Sequence, residues 1–480
     1  MTATDIPAEP GLKRVLGLPG LTLFGLTYLA PVAVFTTYGA VTGVTDGHLP
    51  AAYVIALVVM LFTALSYGRM VRAFPAAGSA YTYTQQSFGG HVGFMVGWTL
   101  MLDYLFLPMI NFLLIGIYLH SQFPSVPAQV FVLAALLLSL LVNVLGVHLI
   151  SRLSTLVVGL AGVLVVIFVA LSVHRTLDHG ASAPFASFLP GSSGTSAAFS
   201  GAAILALSFL GFDAVSTMSE EAKDPRRTIP RAIVLTTVLG GVLFIVVSWM
   251  GALVHPGSTF SDPDSAGLDI MRTLGGSAFT SFFVAVYVAG AFGSGVATQA
   301  SVSRILYSMG RDGVLPRRVF GRLHPRFRTP AVATALVSAV SLVALFISLD
   351  NAVVMVNFGA LIAFSVVNLS VVKHYLVDKG RRSGRDLLSY GLLPVIGFAL
   401  TLWLWTSLEG ITFEVGLCWM LAGLLYLLFL TRMFSRKPPV MSFSENPAEA
   451  VAAPRDGSAA KAQSAAEAQS VAEAQDTAPR

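Results

Sequence analysis

Two aspartates, Asp103 and Asp213, stand deep inside long apolar runs, and no lysine or arginine stands at a comparable depth. At 1.5 Å per helical residue, Asp103 lies about 18 Å into its run, and Asp213 lies about 15 residues into another. Both fall near the middle of a bilayer. Holding a carboxylate there costs at least about 2.5–3.5 kcal/mol, so it needs a partner or a cavity. Two acids without basic partners suit a cationic solute, a coupling proton, or both. The alternative is a protonated or backbone-bonded aspartate that locks helices together. Asp213 is favoured because Gly211 precedes it in Ser208-Phe209-Leu210-Gly211-Phe212-Asp213, a stretch that reads as a helix break. Tyr28, Phe209 and Phe212 sit beside suspected breaks, and Tyr104, Pro108 and Asn111 follow Asp103 at spacings that make one helical face. Aromatic faces attract ammonium groups by about 0.5–2 kcal/mol, although each of these residues alone serves equally well in packing.

The elements that must carry these residues follow from composition. Of 480 residues, 55% are apolar and only 11% are charged, against about 25% charged in a soluble domain. That is too little charge to cover two or three soluble domains, and too much apolar content for disorder. Twelve runs reach the length of about 20 residues needed to cross a bilayer: 18–44, 50–71, 91–119, 128–147, 153–173, 198–219, 231–254, 277–305, 331–349, 352–375, 388–408 and 412–433. In lipid they must be helical, because each backbone group has to be satisfied internally. The expected fold is an all-α integral membrane protein. Residues 1–16 read as an N-terminal segment without a cleavable signal, 17–436 as the twelve-helix domain, and 437–480, rich in Ala, Glu, Gln and Ser, as a disordered tail.

Basic residues set the expected orientation. With both termini in the cytoplasm, 27 of the 29 lysines and arginines fall on the cytoplasmic side, and only Arg175 and Arg272 fall outside. The pI near 9.3 then reflects orientation in the cell (inner) membrane, and nucleic acid is not an expected partner. The lone Cys418 excludes a disulfide framework. The histidines have no metal-ligand spacing, and neither a phosphate loop nor a nucleophile–base–acid pattern is visible. No cofactor, no metal and no enzymatic activity are expected.

Two spans read as interrupted. Span one carries Gly25-Leu26-Thr27-Tyr28-Leu29-Ala30-Pro31, where Pro31 lacks an N–H and disfavours helical geometry at Ala30. Span six carries the break before Asp213. Spans five apart run in opposite directions, and paired broken helices in inverted repeats are a transporter design that exposes backbone groups at mid-membrane. Spans eight (Tyr287, Ser294, Thr298, Gln299, Ser301) and ten (Asn357, Ser365, Asn368, Ser370) carry further polar residues suited to packing or to a cavity wall.

Over roughly residues 12–434 these stretches, together with Phe74 to Tyr83, Gly93 to Trp98, Leu102 to Met109, Ser303-Arg304, Met309 to Asp312 and Asn357 to Leu361, resemble the amino acid–polyamine–organocation permeases, and among them bacterial putrescine importers. The resemblance implies a five-plus-five inverted repeat with helices 1 and 6 broken. It implies a secondary transporter that moves a polyamine, or alternatively an amino acid, by alternating access. The backbone around Gly25, Thr27, Ala30 and Pro31 would help cradle the solute. Asp213 matches an acid used in substrate binding or gating, Tyr104 a tyrosine lining the diamine site, and Glu220 and Glu221 an acidic pair closing helix 6 toward the cytoplasm. Some relatives carry a lysine in helix 5 where sodium-coupled cousins bind an ion; residues 153–173 contain none, and a proton is the expected coupling ion.

Overall fold

The computed structural model describes residues 14–75, 79–180, 183–189, 194–257, 259–260, 266–311, 313, 315–347, 349–406, 408 and 410–433. Most of the expected N-terminal segment and all of the expected tail lie outside the described residues. Span 1 comprises α1 (Leu18–Leu29), a 3-10 turn (Pro31–Phe35) and α2 (Tyr38–Val44), and α3 (Leu49–Ala73) is span 2. The short α4 (Ser79–Phe88) leads into α5 (Gly90–Gln122), α6 (Ala128–Leu145) and α7 (Val147–His179), which are spans 3 to 5. Span 6 is α8 (Gly194–Leu205) continued by 3-10 segments Ala206–Phe209 and Asp213–Glu221. Then come α9 (Pro225–Val254), α10 (Ala266–Arg311), the short α11 (Arg317–Phe320), α12 (Ala331–Ser341) and α13 (Leu349–Val372). The short α14 (Gly384–Asp386), α15 (Leu393–Trp405) and α16 (Gly410–Leu430) complete the order. Among the described residues, ten helices are long and apolar enough to cross a membrane, and the shorter apolar helices Thr195–Leu205 and Ala331–Leu345 complete the twelve.

The first ten spans pack as an inverted repeat. Adding five to each span number exchanges one neighbour pair for another. Thus α1 lies on α9 as α3 lies on α8, and α5 lies on α13 as α10 lies on α7. Both halves also place a short helix before their third span, α4 in one and residues 266–274 of α10 in the other. Each is followed by a left-handed glycine, Gly89 at φ 92° and Gly276 at φ 64°. The sequence pattern did not reveal the helix at 266–274, because it precedes the apolar run that marks span 8. Span 5 is likewise longer than its apolar stretch, since its turns continue past both ends of 153–173.

Polar residues fix the scaffold around the breaks. Gln299 in α10 accepts from Ser139 and Asn143 of α6 at 2.6 and 2.9 Å and donates to Ser338 of α12 at 2.6 Å, all buried. In a membrane interior such bonds select helix pairings that uniform apolar surfaces leave open. On the other flank, Trp98 and Trp419 each donate an indole N–H to the other's backbone carbonyl, at 2.9 and 2.8 Å, and hold α16 against α5.

Candidate functional site

The break in span 1 falls at Ala30, which takes the left-handed region at φ 46° immediately before Pro31. The Tyr28 carbonyl, two residues before this turn, accepts the Ser294 hydroxyl of α10 at 2.8 Å. The break in span 6 centres on Gly211 at φ 119°. A Cβ there would run into the Tyr28 ring, so glycine permits both the turn and the contact between the two broken helices.

Around this contact the chain gathers most of the residues singled out from sequence. Asp213 is buried; its Oδ2 accepts the Tyr104 hydroxyl at 3.0 Å and its Oδ1 the Gly211 N–H at 3.3 Å. Asp103, also buried, has an Oδ1 with no hydrogen-bond partner among the described residues, and the Tyr28 hydroxyl likewise has none. Neither aspartate forms a salt bridge among the described residues. A Cβ on Gly359 of α13 would stand 2.8 Å from the Asp103 nitrogen, so that glycine lets α13 press on the backbone that carries the acid.

Some expected members stand elsewhere. Phe209 turns to α9, where it packs edge to face on Phe244 at 5.5 Å. Phe212 stacks on Phe364 at 5.4 Å and meets Tyr67 at 5.7 Å, forming an aromatic layer with Tyr83. Gly25 lies within regular α1, five residues short of the break, where it makes room for Thr236 and Val215. Thr27 is helical as well, its hydroxyl directed to the carbonyls of Leu23 and Ser154. The interruption of the α-helix therefore begins at Ala30 and lasts until α2 starts at Tyr38.

The amino acid permease family model matches residues 20–429. The chain is 41% identical over 433 residues to the low-affinity putrescine importer PlaP of Escherichia coli (strain K12), covering 89% of this chain and 96% of that protein. The chain belongs to the amino acid permease family. A second relative, the branched-chain amino acid permease BcaP of Bacillus subtilis (strain 168), is 28% identical over 89% of this chain and 95% of its own length. The crystal structure of MhsT in complex with L-phenylalanine superposes with a TM-score of 0.60 over 83% of this chain and 100% of that one. At 15% identity that likeness speaks to fold alone, the inverted repeat with broken helices 1 and 6. This permease is a multi-pass membrane protein and a transporter, not an enzyme.

At the arginine-rich end of the permease, span 6 closes in ion pairs. Glu221 meets Arg304 of α10 at 2.5 Å, and Glu220 meets Arg311 at 3.4 Å. The backbone N–H groups of Val15 and Leu16 also bond to the Glu221 carbonyl, at 3.0 and 2.9 Å, so residues 15 and 16 lie across the same point. Toward the opposite end, Tyr287 stacks on Tyr118 at 4.0 Å and shares a 2.5 Å hydrogen bond with Thr36. Beyond that layer is a cavity of about 510 Å³ lined by Tyr38, Thr42, Asp46, His48, Arg175 and His255 among others. Sequence reading passed over Ser79 and Gly359 as site neighbours, and over Arg304 and Arg311 as partners of the glutamates; Ser294 stood among the span 8 residues suited to packing or a cavity wall. The one signal for the arginines was their place in the stretches that carry the family resemblance.

Proposed function

We propose that this permease imports a small di-cationic amine, putrescine or a diamine of similar length, across the cell (inner) membrane. Both termini face the cytoplasm, and the arginine-rich end is the cytoplasmic one. The observation that carries this reading is the pair Asp103 and Asp213, buried within spans 3 and 6 with no basic partner among the described residues. One ammonium of the solute pairs with Asp213 beside Tyr104. The other is received by Asp103, whose Oδ1 is unsatisfied, with the Tyr28 ring as an aromatic wall. The 41% identical relative that is a putrescine importer supports the same solute.

Inward movement of a dication down a potential of 100 mV gains about 4.6 kcal/mol, from about 2.3 kcal/mol per charge. That drive suffices without a second ion, and a coupling proton adds to it. Alternating access requires the Tyr118–Tyr287–Thr36 layer to part toward the outside. The Glu220–Arg311 and Glu221–Arg304 pairs must part toward the cytoplasm.

An amino acid solute is the second reading, favoured by the relative that is a branched-chain amino acid permease. A substrate carboxylate would need free N–H groups at the breaks, but the Gly211 N–H is directed to Asp213. Uptake of radiolabelled putrescine into proteoliposomes, competed with diamines and with zwitterionic amino acids, separates the two. Competition by diamines alone is expected. Competition by amino acids alone selects the second reading.

A further inference from the structure

Tyr104 has one hydroxyl proton and two acceptors within reach: Asp213 Oδ2 at 3.0 Å and Ser79 Oγ at 3.2 Å. Ser79 opens α4, the short helix between spans 2 and 3, and is fully buried. Its backbone takes φ 52°, a left-handed value that serine rarely adopts. A side chain held in a disfavoured backbone conformation with its hydroxyl on a site tyrosine is the pattern of a functional constraint. Packing holds it there: α4 lies along α5, with Gly93 fitting against Gln85 and Gly97 against the Tyr81 ring.

We propose that Ser79 is a positioning residue of the transport site, the alternate acceptor that takes the Tyr104 hydroxyl when a solute ammonium occupies Asp213 Oδ2. The inference rests on the reading of Asp213 as the cation anchor. Before the solute arrives, Tyr104 donates to the carboxylate. An ammonium has three N–H donors and no acceptor, and one that takes both lone pairs of Asp213 Oδ2 leaves none for the Tyr104 hydroxyl. The displaced phenol then needs an acceptor, because a buried hydroxyl left unpaired weakens the bound state. Ser79 supplies one without any movement of α5. Tyr104 thereby exchanges a bond to span 6 for a bond to α4, and solute occupancy is communicated to the basic face of the protein.

The test is a double-mutant cycle on the purified full-length permease in proteoliposomes, read as the Kd of radiolabelled putrescine and the thermal unfolding midpoint. Ser79→Gly suits φ 52° and removes the hydroxyl, so it should weaken putrescine binding about three- to tenfold without lowering the midpoint. Ser79→Ala should weaken binding to the same degree. In a Tyr104→Phe background, Ser79→Gly should change nothing further. Wild-type binding by Ser79→Gly, or an equal loss of affinity in the Tyr104→Phe background, would overturn the proposal. Asp213→Asn keeps the two claims apart. Loss of binding in Asp213→Asn beside a normal Ser79→Gly removes only the role of Ser79. Normal binding by Asp213→Asn removes the anchor itself, and this proposal with it.

Discussion

The Tyr104 hydroxyl donates to Asp213 Oδ2 across 3.0 Å, joining α5 to the break in span 6 over 109 positions of sequence. The bond fixes the carboxylate two residues past Gly211, the glycine on which the Tyr28 ring packs where the two interrupted helices meet. An acid so placed is held in position, yet among the described residues it has no basic partner.

Replacing Gly211 should abolish transport. Gly211→Ala would put a Cβ into the Tyr28 ring at φ 119°, a combination of steric clash and backbone strain worth more than about 1–3 kcal/mol. Putrescine uptake should fall more than tenfold. Gly159→Ala, in α7 with open space around its Cβ and no left-handed backbone, should retain uptake and serves as the comparison.

The ion pair between Arg304 and Glu221 is almost fully buried, with side chains 6% and 2% exposed. Removing one partner strands a buried charge, at about 3–5 kcal/mol. Arg304→Gln should lower the thermal midpoint and favour opening at the basic face. A cysteine placed by Ser216→Cys, in a Cys418→Ser background, should then react faster with a thiol reagent applied from that face. Arg311→Gln breaks a longer and more exposed pair and should have the smaller effect.

Ser294→Ala leaves the Tyr28 carbonyl at the first break without its donor. A buried acceptor left unpaired costs about 1–3 kcal/mol. The midpoint should drop accordingly, and Ser294→Thr, which keeps the hydroxyl, should recover most of it.

Much of this arrangement was legible in the chain, for physical reasons. Lipid forces long apolar runs to be helices, and the cost of burying a carboxylate makes Asp103 and Asp213 conspicuous. Pro31 and Gly211 mark breaks by their own backbone chemistry. What escaped depends on contacts between distant positions: Ser79 lies 25 residues from Tyr104, Arg304 83 from Glu221, and Ser294 266 from Tyr28. Gly25 and Gly211 look alike as letters, yet one makes room for Thr236 and Val215 while the other turns the backbone. Phe209 and Phe212 could not be told apart either, because the broken helix between them removes the period from which a facing direction is read. The helix at 266–274 was hidden because a helix this short leaves no apolar run of spanning length.

The account turns on two carboxylates that receive two ammonium groups, and the most direct measurement compares a diamine with its monoamine. Binding of putrescine and of butylamine should be measured on wild-type, Asp103→Asn and Asp213→Asn permease in proteoliposomes. The wild type should prefer putrescine strongly. Asp103→Asn should lose most of that preference while still binding monoamine, and Asp213→Asn should bind both poorly. An unchanged diamine-to-monoamine ratio in Asp103→Asn, or wild-type putrescine binding by Asp213→Asn, would contradict the account.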